Sequence, residues 1–482
     1  MVFKNTVGYT FADQLKKAIS IMALPNINQR QLERNLRNFT IFRLLFSARF
    51  YYPVFTILFL DLGLTLEQFS ILNVAWALSI VFAEVPSGAL ADIVGRKNLI
   101  IFAAILMVLE MSLLTLATII DPSSLFLLMV GNRVLSGLSE AAASGADEAL
   151  AYDSLCLLGR EKEWPKVLEK TTQVVSIGFF VSMILGAVLY DSTLINTILD
   201  RLGLSWELND TRIIRMPVVL TLLTSLLLLV NTFSFHEESE PENKRPTPLS
   251  NFPVKDAFKQ ILVAAKWTLN HRFVLFIILA ALILDSVARQ FVILASEYYR
   301  IIDIPISWFG FIGAGMSVIG IANAKFSRYL VENHAPLTNF FVLCLILMMS
   351  LIGLCFAIPF YGVIFAAGAF SMIGMVRFQS SYYINREVDS TQRATILSFK
   401  GLALNIGLGA ASILYSGYVA FLRGTEATQS HVNDDVFIKA LFSFPSYFLI
   451  LLTSFFYLVW RYKIYNLHNL NKLEKAEHSI SQ

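Results

Sequence analysis

Charged side chains are scarce in this chain. Aspartate, glutamate, lysine and arginine make up 15% of its 482 residues, where a soluble domain carries about a quarter. With 56% hydrophobic residues, and apolar runs of about 20 residues recurring along the chain, a water-soluble fold is excluded. The bilayer is the solvent. Cysteine is nearly missing: Cys156, Cys344 and Cys355 are too few and too scattered for a disulfide framework. The six histidines fall in loops, tails or span ends, so no buried histidine metal site is expected, and the reading requires neither metal nor cofactor. The net charge of +3 reflects membrane sidedness rather than a nucleic-acid partner. The chain has no G-x-x-x-x-G-K-[ST], no H-E-x-x-H and no G-x-S-x-G. Those absences argue against a primary pump and against a membrane-embedded enzyme.

What is present is twelve apolar runs, at roughly 41–61, 68–87, 98–119, 125–147, 172–191, 213–233, 273–299, 306–327, 337–357, 360–382, 397–421 and 438–460. Backbone groups in lipid must be satisfied within their own segment, so the runs are helices. The fold class is all-α integral membrane, with twelve transmembrane helices in two six-helix halves. The expected division is a tail at 1–40, a bundle at 41–233, a linker at 234–272, a second bundle at 273–460 and a tail at 461–482. In the first tail Phe11, Leu15, Ile19 and Met22 share one face of an amphipathic surface helix. The linker opens with the polar "HEESEPENKRPTPLSNF" and continues with "VKDAFKQILVAAKWTLNH", whose apolar spacing predicts a helix on the membrane surface. Basic residues concentrate in the tails, the linker and the loops on their side, so the positive-inside rule places both termini in the cytoplasm. Short external loops fit a bacterial inner membrane protein.

A shift of about 240 residues superimposes the halves. "SARFYYPVF" (47–55) falls on "VARQFVILA" (287–295), Arg49 on Arg289, and Asp92 on Glu332. The register is not extended to spans 4 and 10.

Between spans 2 and 3 stands "EVPSGALADIVGRK", which carries Gly88, Asp92, Gly95, Arg96 and Lys97 as G-x-x-x-D-x-x-G-R-K. The glycines permit a tight turn and close helix approach. Asp92 suits a helix N-terminus such as that of "DSTQRATILSF" at the start of span 11. The pattern resembles the signature loop of the major facilitator superfamily, whose members are twelve-span secondary transporters. The resemblance covers span count, central linker, termini and loop position. It implies alternating access, a gating role for this loop and a monomer that binds a small solute and a coupling proton. The residue after the aspartate is Ile93, where the family often has a basic one. "RVLSG" (Arg133 to Gly137) on span 4 is similar to the family's R-x-x-x-G, linked there to proton coupling. Span 5 has Gly178 and Gly186 but lacks the proline of the drug/proton antiporter motif.

A charge at mid-bilayer costs at least about 2.5–3.5 kcal/mol, so it faces protein or a water-filled cavity. The candidates are Arg49, Glu110, Arg133, Glu140, Asp285, Arg289 and Arg377. All but Glu110, read as a helix-packing partner, lie on spans 1, 4, 7 and 10, which the resemblance makes cavity-lining. Asp285 and Arg289, four apart, share a face, as do Arg133 and Glu140, and Arg49 shares its face with Tyr52 and Pro53. Two readings stay open. In one, Arg49 and Arg289 clamp an anionic substrate with Tyr52 and Arg377 nearby, while Arg133, Glu140 and Asp285 handle the proton. In the other, the same charges form fixed salt bridges between the halves. The expected function is transport of an organic anion. Efflux of amphipathic drugs or of a siderophore-like metabolite is the alternative, motivated by 39 phenylalanines. A non-transporting receptor of this fold is the remaining possibility.

Overall fold

A computed structural model of the chain describes residues 26–120, 122–203, 213, 215–237, 254–388, 390–425 and 432–461. The N-terminal surface helix, the polar part of the linker and the tail from 462 lie outside the described residues. Among those described, every regular element is helical. Twelve helical segments are long and apolar enough to cross a membrane. Spans 1 to 6 are Gln29–Asp61, Leu66–Glu84, Arg96–Ala117, Ser124–Leu157, Glu161–Tyr190 and Arg215–Phe233. Spans 7 to 12 are Arg272–Ile293, Ile306–Asn333, Pro336–Cys355, Val363–Glu387, Thr395–Gly424 and Asp434–Arg461. Span 2 packs on span 11 and span 5 on span 8, forming the two long seams between the halves.

The repeat is visible in the helix starts. Leu66 and Ile306 open equivalent helices, as do Arg96 and Pro336, both pairs 240 apart, and Pro122 and Val363 are one residue further apart. Near a two-fold axis, residues meet their own equivalents. The backbone N–H of Thr56 donates to Ser296 Oγ at 2.9 Å, across a separation of 240 residues.

Span 1 is broken. Proline has no N–H, and its ring clashes with the carbonyl four residues back, which for Pro53 is that of Arg49. The helix stops at Ser47, a 3-10 turn covers Tyr52–Val54, and a new helix runs Phe55–Asp61. The released groups find partners in neighbouring spans. Phe50 N–H donates to Thr221 Oγ1 at 3.1 Å. Gly186 lets span 5 come close enough that a Cβ there would lie 1.7 Å from the Phe50 carbonyl oxygen. Span 7 has its own break at the equivalent place, where Leu294 separates Arg272–Ile293 from Ala295–Ile301.

The helix of span 1 starts at Asn26, so residues 26–40, read from sequence as tail, are helical. Asn35 donates to the His236 carbonyl at 2.6 Å, and Asn38 to that of Ser234 at 3.0 Å. Hydropathy counts both asparagines as solvent-facing, yet both are buried. The helix of span 2 runs on through Pro86 and Gly88 to Val94. The turn expected around both glycines is therefore made by Gly95 alone, at φ +89°. Residues Val254–Asn270 form the amphipathic helix, and it also packs on the helices of spans 2, 11 and 7, with Ala264 and Thr268 buried.

Gly186→Val is expected to lower thermal stability by about 1–3 kcal/mol or more through overpacking. Gly320→Val on span 8, where a Cβ meets nothing within 4 Å, is the control and should change little. Detergent melting curves of the two variants check this.

Candidate functional site

A cavity of about 300 Å³ lies between the halves. Its walls are largely aromatic, from Tyr52, Phe55, Trp76, Phe179, Tyr299 and Phe370. Three charged side chains reach it: Arg133, Glu140 and Arg289. The volume falls at the lower end of small-molecule sites. A second cavity, beside span 7 at Phe276 and Phe340, holds only about 30 Å³ and is lined mainly by apolar side chains, with Gln379 and Ser380 among them.

Span 4 supplies the charges of the first half. The Arg133 guanidinium lies over the Phe55 ring at 5.2 Å and the Trp76 ring at 5.7 Å. Such stacking suits the weakly hydrated arginine fork. Glu140 follows two turns later on the same cavity wall. The glycine of R-x-x-x-G is a contact point: a Cβ on Gly137 would lie 2.7 Å from Ser79 Cβ and 2.8 Å from the Trp76 carbonyl. It holds span 4 tight against span 2 and so fixes where Arg133 points.

Arg49 does not line the cavity, so the structure does not join it to Arg289 in one clamp. Its guanidinium, 2% exposed, pairs with Glu110 of span 3 at 2.7 Å. It also donates to Tyr51 Oη at 3.2 Å. Residues 48–51, next to the break at Pro53, leave the helix, yet Arg49 stays beside Tyr52, its guanidinium over that ring at 5.7 Å. Tyr52 remains at the cavity. Glu110 is thus a packing partner, bound to the arginine that the break exposes.

Arg289 of span 7 pairs with Asp285, as the i,i+4 spacing predicts, and donates to Asn405 Oδ1 at 2.9 Å. Arg377 of span 10 is exposed and, among the described residues, its side chain makes no ion pair or hydrogen bond. Sequence reasoning missed Lys400, whose Nζ donates to Ser381 Oγ at 3.1 Å and which is 9% exposed. A lysine inside the apolar run of span 11 was the available signal. Trp76 was missed too, because a tryptophan in a membrane helix carries no signal of its own.

Apart from the contacts of Thr56 and Ile57 with Ser296 and Ile293 at the cavity wall, the side-chain hydrogen bonds and ion pairs joining the two halves among the described residues lie at the end opposite the termini. Arg423 forks onto Glu67 at 2.5 and 3.0 Å. Arg300 pairs with Asp61 at 2.7 Å and with Glu297 at 2.6 Å. Asp191 accepts from the Ser307 N–H at 3.1 Å. The cavity is therefore sealed at that end; Arg377 lies in the half of the span 10 helix nearer the other. At the termini end, Arg96 pairs with Asp153, and Glu237 accepts from the N–H groups of Arg96 at 2.8 Å and Lys97 at 3.0 Å. A carboxylate does sit at a helix N-terminus here, favoured by the dipole, but it belongs to Glu237. The side chain of Asp92, and residue 389, lie outside the described residues.

A family model for the Major Facilitator Superfamily matches residues 38–412. Solved structures share the fold. The nucleoside transporter NupG matches at TM-score 0.63 and 13% identity, over 88% of this chain and 98% of its own. A bacterial homologue of the human lysosomal transporter Spinster, inward-facing and occupied, matches at 0.61 and 14%, over 89% and 96%. A D-xylose-proton symporter matches at 0.54 and 12%, over 89% and 97%. No curated protein matches the chain by sequence.

Breaking the buried Arg49–Glu110 pair with Glu110→Gln should cost about 3–5 kcal/mol of stability, since it strands a charge. Replacing both partners by apolar residues should cost less than that single change, as melting curves would show.

Proposed function

Because the chain belongs to the major facilitator superfamily and is thereby a secondary transporter, we propose that its solute is a small organic anion. One observation carries this reading. The cavity and its approach hold Arg133, Arg289, Arg377 and Lys400 against Glu140 and Asp285, two more cations than carboxylates. In a low-dielectric interior an unmatched positive charge attracts an anion strongly. Arginine and lysine also donate to carboxylate and phosphate groups. The aromatic walls would cover the organic body of the solute.

Transport is by alternating access. The lysine and arginine distribution supports cytoplasmic termini and the short external loops support a bacterial inner membrane; on that reading the sealed end faces outward and the cavity opens inward. Glu140 carries the coupling proton. It faces the cavity beside Arg133, whereas Asp285 is held by Arg289. Arg133 sets how readily that proton leaves, because a cation nearby favours the carboxylate. The aromatic lining also supports a second reading, export of amphipathic compounds, in which a lipophilic cation such as tetraphenylphosphonium would be moved.

Proteoliposomes with an imposed pH gradient test both. Accumulation of succinate, phthalate or benzoate, with tetraphenylphosphonium ignored, is the expected result. The reverse preference sinks the anion reading. Glu140→Gln should abolish accumulation driven by the gradient while leaving anion exchange measurable. Arg289→Gln should weaken the concentration dependence of uptake by about tenfold or more.

A further inference from the structure

The second half carries a group of charges that its own residues do not balance. Arg377 of span 10 lies within electrostatic range of Arg289 and Asp285. Lys400 of span 11 lies within range of Arg377 and Asp285. Asp285 is already bound to Arg289. Three cations thus share the field of one carboxylate, two more than it balances. Arg377 is exposed, whereas Lys400 is 9% exposed and, among the described residues, donates only to the hydroxyls of Ser380 and Ser381, at 3.4 and 3.1 Å. A buried ammonium held by hydroxyl groups alone is poorly compensated. Like charges held near one another repel, and water screens the buried Lys400 least. A fold selected only for stability would not retain this arrangement, and active sites are where such unfavourable charge groups persist.

The position is informative as well. Asp285 precedes Arg289 by one helical turn, and Lys400 precedes Asn405, the partner of Arg289, by slightly more than one turn. Span 7 starts at the termini face, and so does span 11. The Arg377–Lys400 layer therefore lies on the approach to the cavity from its open end.

We propose that Arg377 and Lys400, with the hydroxyls of Ser380 and Ser381, form an anion subsite in this approach that selects for solutes with two negative charges. One charge is met by Arg289 at the cavity and the other by Arg377 and Lys400, so a dianion neutralises the group and a monoanion leaves it cationic. The serine hydroxyls, which now accept from Lys400, rotate to donate to the ligand. The subsite rests on the organic-anion reading and sharpens it to solute charge.

The test is thermal stability of the purified full chain in detergent, at ionic strength matched with chloride. The probes are the dianions phthalate and succinate, against the monoanion benzoate. In the wild type the dianions should bind at least tenfold more tightly than benzoate. Lys400→Gln and Arg377→Gln should each weaken dianion binding by about ten- to a hundredfold, which is what loss of one charge-assisted contact costs. Benzoate should be little affected, and Lys400→Arg should keep the dianion preference. Ligand-free Lys400→Gln should melt no lower than wild type, because repulsion is relieved. If Lys400→Gln instead melts far lower, the lysine is a structural strut and the subsite falls. Should the dianions stabilise wild type and both neutral variants alike, the subsite also falls but the anion reading stands. If none of the three anions stabilises wild type, both fall together.

Discussion

Inside hydrocarbon, neither a backbone amide nor a charge can be left without a partner, and this architecture turns on the place where that demand is strained most. Pro53 interrupts span 1 in mid-membrane. The interruption persists because Thr221 takes the Phe50 N–H and because Gly186 leaves room for span 5 to close over the break. Arg49 leaves the helix beside this interruption, and Glu110 meets it in the bundle. Spans 1, 3, 5 and 6 are thereby locked into one unit. The first half can then act as a rigid body against the second, as alternating access requires.

The two halves meet differently at their two ends. Opposite the termini, three separate polar contacts, at Asp61, Glu67 and Asp191, tie them together. Each crosses the pseudo-two-fold boundary and must break for the cavity to open outward. Toward the termini, the helix Val254–Asn270 packs on spans 2 and 11. The contact of Thr56 with Ser296 near the axis acts as a pivot, because residues close to a rotation axis move least.

Within the cavity the halves divide the electrostatic work. In the first half, cations and carboxylates balance: Arg49 with Glu110, and Arg133 with Glu140 on one wall. In the second, Arg289, Arg377 and Lys400 outnumber Asp285. A balanced half suits proton exchange, since moving one proton there changes the local charge from neutral to positive. A cationic half suits holding an anion. On the reading proposed above, a proton on Glu140 and an anionic solute in the same cavity would stabilise each other through opposite charge, giving coupling a physical basis.

Much of this was legible in the chain. Hydrophobic run length determined twelve helices, because lipid admits no other spanning element for such runs. The 240-residue offset placed the repeat correctly, since duplicated halves keep helix starts as well as residue types. The i,i+4 spacing determined the Asp285–Arg289 pair, which needs only helical geometry. What tertiary structure decided is which buried charges face water and which face each other. Arg49 and Arg289 hold equivalent positions in sequence, yet Pro53 has no proline counterpart at Ile293, so one arginine is turned inward to Glu110 and the other stays at the cavity. The Arg423–Glu67 and Arg300–Asp61 contacts join residues more than two hundred positions apart. Glu237 reaches the turn at Gly95 from beyond span 6. No local pattern encodes those meetings, because they depend on how whole helices pack across the seams.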